Sequence, residues 1–162
     1  MKIREKGQSL VEAIIAMTAA ILIVSSIVAA VVTSLNNAQF SKYQNLATQY
    51  AQEGIEVVKN LSVANWSSFY SLTSTDYCLP EGSSVLTVVA PCEPNVYQVG
   101  STFIFKRSIK LERDNADCSS VGTKVTSTVA WSDSRCTSSG DIYCHSVVLH
   151  TCVLRSQIIP IP

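Results

Sequence analysis

The chain has 162 residues, and only 15% of them are charged, against about 25% in ordinary soluble proteins. Twelve basic and twelve acidic residues cancel to a formal net charge of zero, which argues against a nucleic-acid partner, because polyanion binding needs a clustered positive surface. All six cysteines lie between Cys78 and Cys152, a distribution that points to disulfides formed in an oxidising compartment rather than to buried thiols of a cytosolic protein.

The N-terminal residues 1–7 hold Lys2, Arg4 and Lys6 against the single acid Glu5. An apolar run then extends from Ala13 to Val32, broken only by Thr18, Ser25 and Ser26, and no charge occurs between Glu12 and Lys42. Twenty helical residues cover about 30 Å, the thickness of a bilayer's hydrocarbon core. The basic leader stays cytoplasmic by the positive-inside rule, so the chain beyond Val32 is expected outside. A secretory signal peptide would have a shorter apolar region, although Val28-Ala29-Ala30 offers small residues for cleavage. A plain anchor explains the length but not Glu12, a carboxylate at the very start of the apolar run, where it is costly unless paired or functional. A helix N-terminus beside the membrane interface would also favour that carboxylate.

The stretch Gly7-Gln8-Ser9-Leu10-Val11-Glu12 resembles the processing site of type IV pilins and pseudopilins. The resemblance implies a leader peptide over 1–7, cut after Gly7 by a prepilin peptidase on the cytoplasmic side. It also implies N-terminal methylation at Gln8 and an assembly role for Glu12. The family usually places phenylalanine where this chain has Gln8, and many members carry a proline within the apolar helix that is absent here. The implied partners are other pilin subunits met through the N-terminal helix, the peptidase, a membrane assembly platform driven by an ATPase, and the lipid bilayer before assembly. The role of Glu12 has a physical rationale: the α-amino group of each incoming subunit enters an apolar bundle, and a neighbour's Glu12 could neutralise it there.

Helical signals continue beyond the apolar run. Phe40, Tyr43, Ala47, Tyr50, Gly54, Val57 and Leu61 recur at spacings of three and four, the signature of one apolar helix face. Lys42, Gln44, Gln49, Gln52, Glu53, Glu56 and Lys59 occupy the opposite face. One helix is expected from about Ser9 to about Leu61, with Asn36-Asn37 and Gly54 as the places where it would break. A coiled coil would use the same stripe, but the strands that follow favour packing against a sheet. Ala51-Gln52-Glu53-Gly54-Ile55-Glu56 and Asn65-Trp66 also resemble minor pilin-like proteins.

Serine, proline and glycine mark loops from Asn65 to Pro94, with a short strand expected at Val85 to Ala90. Alternation predicts strands at Thr102 to Glu112, about Thr123 to Trp131 and about Cys144 to Leu154, joined as an antiparallel meander. In the first of these, Phe103, Phe105, Ile109 and Leu111 share a face into which Arg107 intrudes. Six cysteines allow 15 pairings. Spacing suggests Cys136 with Cys144 across a turn and Cys78 with Cys92 around a loop, leaving Cys118 for Cys152. A zinc site from Cys136, Cys144, Cys152, His145 and His150 would need both histidines on one face, whereas their spacing puts them on opposite faces of a strand. No metal, cofactor or catalytic residue is expected, because no nucleophile elbow or glycine-rich phosphate loop occurs.

The expected fold class is α+β and pilin-like: a long N-terminal helix, membrane-spanning in its first half, packed against a C-terminal antiparallel sheet. The expected divisions are a leader at 1–7, a transmembrane or filament-core helix at 8–35, an amphipathic continuation at 36–63 and a disulfide-rich head at 64–162. The expected function is that of a structural subunit, a minor pilin or pseudopilin, of a type IV pilus-like filament. It would sit in the cell membrane as a single-pass protein with an extracytoplasmic head, and at the cell surface after assembly. The competing reading is a single-span extracellular adhesin or receptor that forms no filament.

Overall fold

A computed structural model describes residues 4–80, 82–87, 92, 96–99, 102–113, 115–118, 122–133, 135–136 and 143–155. The architecture is α+β: a long helix α1 (Arg4–Ala64), a short α2 (Trp66–Ser71), and strands β1 (Asp76–Cys78), β2 (Val96–Val99), β3 (Thr102–Arg113), β4 (Thr123–Trp131) and β5 (His145–Val153) in one antiparallel sheet. The chain forms two compact units, Met1–Ser41 and Lys42–Pro162. The described residues of the first are helical and are treated with the candidate site below.

In the second unit, β3, β4 and β5 form the expected meander, with Ile109 opposite Ser127 and Ser127 opposite Leu149. The far edge of β3 is shared: β1 pairs with its residues 108–110 and β2 with its N-terminal end. The strand expected at Val85 to Ala90 is reduced to one bridge, in which Cys78 and Thr87 exchange backbone hydrogen bonds of 2.9 and 3.1 Å; Val88 to Ala90 lie outside the described residues. The region read as loop from Asn65 also contains α2 and β1. Asn65 caps α2, its side chain accepting the Ser68 N–H at 3.0 Å, which satisfies a donor that the helix start leaves unpaired. At the other end of α2, the Arg113 guanidinium donates to the carbonyls of Phe69, Tyr70 and Leu72 and stacks 4.4 Å over the Tyr70 ring, where a cation complements the helix dipole.

Helix α1 continues unbroken through Asn36-Asn37 and Gly54. Its C-terminal half packs on the sheet, and Ala47, Ala51, Gly54, Ile55, Val58 and Ser62 are its buried residues. The expected stripe is therefore rotated slightly: Tyr43, Tyr50, Val57 and Leu61 flank it, half-buried, while small residues take the line of closest approach. The reason lies at Gly54, where an added Cβ would stand 2.8 Å from Ser127 Oγ and 2.9 Å from Ile109 Cδ1. Val58, Phe69, Tyr77, Leu79, Ile109, Leu111, Val125 and Val153 form the core. Tyr50 meets the Phe105 ring edge-on at 5.2 Å, and Phe105 lies 6.3 Å from Trp131.

Arg107 is fully buried on the inner face of β3. Its Nε donates to Leu79 O at 3.1 Å, and its terminal nitrogens donate to Tyr50 O at 3.0 Å and Pro80 O at 3.3 Å. Glu53 Oε2 lies 3.5 Å away. One guanidinium thus joins helix, sheet and the segment after β1, which meets the requirement that a buried charge be paired and hydrogen-bonded.

Two outcomes follow for the detergent-solubilised chain in denaturant titrations. Arg107→Met strands the Leu79 carbonyl, while Pro80 O keeps the Ser83 N–H at 3.2 Å, and it should cost about 2 kcal/mol, since an orphaned buried group costs about 1–3 kcal/mol. A loss below about 1 kcal/mol would refute its role as the link. Gly54→Ala gains about 1 kcal/mol of helix propensity but overpacks a closed contact at about 1–3 kcal/mol. It should therefore be net destabilising, and a stabilised variant would mean that the helix can move off the sheet at no cost.

Candidate functional site

Two places in the chain concentrate features that the fold does not require. The first is the N-terminal stretch of α1. From Leu10 to Leu35 every large apolar side chain is 51% to 72% exposed, on all sides of the helix. This helix is long and apolar enough to cross a membrane. Each such side chain gains about 1.5–3 kcal/mol on leaving water, so the segment calls for an apolar surrounding.

Polar groups in this stretch are handled in two ways. The hydroxyls of Thr18, Ser25, Ser26 and Thr33 donate back to carbonyls of their own helix, at 2.7 to 2.9 Å. They place no demand on the surroundings. Glu12 is exposed and has no hydrogen-bond or ion-pair partner among the described residues. It is the one ionisable group of the stretch from Leu10 to Ser41. Gly7 and Gln8, the residues expected to flank a cleavage point, lie in the first turns of α1.

The second place is the cysteine framework. Disulfides join Cys78 to Cys92, Cys118 to Cys152 and Cys136 to Cys144, the three pairs that the spacing suggested. They close loops of 14, 34 and 8 residues' separation; in the chain-entropy model a loop of about 15 residues contributes roughly 3 kcal/mol. Cys78 pins the start of the sheet, Cys152 ties β5 to the turn Ala116–Cys118, and Cys136 and Cys144 clasp the ends of the β4–β5 connection.

Around that last clasp the structure brings together Cys136, Cys144 and His145, three of the five residues weighed and set aside above as zinc ligands, with Asp133, which the sequence reading did not name. His145 Nε2 lies 3.1 Å from Asp133 Oδ1, an ion pair when the ring is protonated. Asp133 Oδ1 also accepts the Arg135 N–H at 2.8 Å, and the Asp133 N–H points at Cys136 Sγ at 3.5 Å. Thirteen positions of the chain cover these residues, from Asp133 to His145, yet no short motif announces them. His150, the other histidine, is elsewhere, its Nδ1 2.9 Å from Thr126 Oγ1. Near it Asp117 pairs with Lys124 at 2.6 Å. The Lys124 ammonium lowers the Asp117 carboxyl and is itself raised by the same hydrogen bond.

Burial works to raise the Asp133 carboxyl, but the Arg135 N–H and His145 outweigh it and hold the group below the ordinary carboxylate value. A carboxyl depressed in the folded state contributes stability above its unfolded value, and that contribution is lost as pH falls through the folded value. The wild-type chain should thus lose this stability below about pH 4. Asp133→Asn lacks the titrating group, so its melting temperature should fall less between pH 6 and pH 3 than that of the wild type. Equal falls in thermal melts followed by circular dichroism would mean that Asp133 is not held ionised by the fold.

Comparison of the chain with protein-family models, with curated proteins and with solved structures finds no match in any of the three.

Proposed function

We propose that this chain is a structural subunit, of the minor pilin or pseudopilin kind, in a type IV pilus-like filament. The observation that carries the reading is the first stretch of α1: apolar and exposed on every side, with the hydroxyls of Thr18, Ser25, Ser26 and Thr33 bonded within the helix and a carboxylate at Glu12 that has no partner among the described residues. An all-round apolar helix suits two surroundings in turn, a bilayer and then a bundle of identical helices. Glu12 is costly in both, and the bundle alone offers a fixed cationic partner, the α-amino group that cleavage after Gly7 would create at Gln8. A pair formed at that depth also fixes axial register, since a misplaced subunit leaves two charges unpaired.

The C-terminal unit agrees with this role. Its disulfides and buried Arg107 network maintain a small extracytoplasmic fold. The single-span receptor reading explains the apolar helix but assigns no task to Glu12.

Expression in a host that carries a prepilin peptidase separates the two readings. Intact mass spectrometry should find a chain that begins at Gln8, with or without one added methyl group. A mass retaining residues 1–7 would support the anchored receptor, and one beginning after Ala30 an ordinary secreted protein. Glu12→Ala should leave membrane insertion and cleavage intact yet remove the chain from sheared filaments. Incorporation at the wild-type level would refute the assembly role.

A further inference from the structure

The connection from β4 to β5 gathers four side chains of metal-ligating type at one end of the sheet. Asp133 and Cys136 follow β4, and Cys144 and His145 lead into β5. One ligand atom from each lies within 4.8 Å of the others. The 3.1 Å between His145 Nε2 and Asp133 Oδ1 is close to the edge of a tetrahedron with metal bonds of about 2.0–2.1 Å, which is about 3.3 Å. Cys136 and Cys144 are 5.5 Å apart at Cα, near enough for both sulfurs to reach one ion.

Two further contacts suit a metal. The Asp133 N–H is directed at Cys136 Sγ at 3.5 Å, an outer-shell hydrogen bond of the kind that orients ligands to a metal. The His145 ring lies against the buried Trp131 indole, with centroids 5.4 Å apart, a packing contact that restricts the ring's orientation. Two sulfurs, one imidazole nitrogen and one carboxylate oxygen make a borderline-soft tetrahedral set of the kind Zn2+ takes. Among the described residues, neither of the other two disulfides sits in such a group.

In the disulfide state the two sulfurs are bonded to each other and neither is a thiolate. We infer that the Cys136–Cys144 clasp is a redox-dependent zinc site: on reduction, Cys136, Cys144, His145 and Asp133 bind one Zn2+, which closes the same connection that the disulfide closes. The reductant is a dithiol. Its two sulfurs are oxidised to a disulfide, the Cys136–Cys144 bond takes the electron pair and breaks, both cysteines bind as thiolates, and two protons pass to solvent. Zinc and the disulfide are then alternative closures, and each blocks the other. The site is independent of the filament reading, and its failure would leave that reading intact.

The test uses the full chain in detergent micelles, oxidised or reduced by a phosphine, which goes to the phosphine oxide without competing as a thiol. Zinc is titrated against a chromophoric chelator, and Co2+ is used as a visible probe of tetrahedral geometry. The reduced wild type should bind about one equivalent, and the oxidised chain less than about 0.1. The His145→Ala chain, which keeps all six thiols, should bind at least about tenfold more weakly. The Cys136→Ser/Cys144→Ser chain, checked for folding by circular dichroism, should lose the Co2+ spectrum. Binding by the oxidised chain equal to that of the reduced chain would overturn the inference. So would no zinc on the reduced wild type, or unchanged affinity in either variant, which would place the metal on the other thiols.

Discussion

The C-terminal unit is organised by the need to satisfy one buried guanidinium. Arg107 stands on the apolar face of β3 between Phe105 and Ile109, with no exposure to solvent. Its donors find carbonyls on α1 and on the segment after β1, and Glu53 supplies the opposing charge. Apolar surfaces can slide against one another with little loss, but a set of directed bonds from a single planar group cannot. The helix therefore meets the sheet at one axial position and one rotation. Gly54, one turn beyond Tyr50, is part of the same solution: its missing Cβ leaves room for the Arg107 stem as well as for Ser127 and Ile109. A buried ion pair is not a general source of stability. Here its contribution is to define which of several similar packings is adopted.

The two units have opposite relations to water. In the second, the largest side chains turn inward and the loops are cross-linked. In the first, the apolar side chains of α1 turn outward all round. A sequence of zero net charge and modest polarity hides this division when averaged, and shows it at once when read along the chain.

What was legible in the sequence depended on length and period. β3 and β4 are long enough for alternation to be unmistakable, and their bounds differ from expectation by a residue or less. α1 was legible for the same reason. β1 and β2 have three and four residues, too few to establish a period; they exist because the β3 edge offers hydrogen-bond partners. α2 was read as loop: Asn65 is a residue type that caps helices, but a six-residue helix has no room for an apolar stripe. Arg107 was visible as an intrusion on a buried face, while its acceptors are backbone carbonyls, which carry no sequence signature. The Asp133–His145 pair joins residues across a connection that only the hairpin closes. The two histidines were read together as a unit when the relevant neighbour of His145 was a carboxylate. The task proposed for Glu12 rests on a local resemblance and on the cost of its charge.

Sheet order has a further consequence for how the chain comes to be folded. Synthesis runs from the N-terminus, so the buried line of α1 from Ala47 to Ser62 is complete some forty residues before β3 begins at Thr102. Its sheet partners do not yet exist at that stage. β3 in turn borders α1, β1, β2 and β4 at once, and three of these precede it in the chain. The amphipathic half of the helix must wait, with its small-residue line uncovered, until a strand made much later gives it a surface. The interval is a window of vulnerability to chance partners. Such a chain gains from whatever shelters the helix during that time.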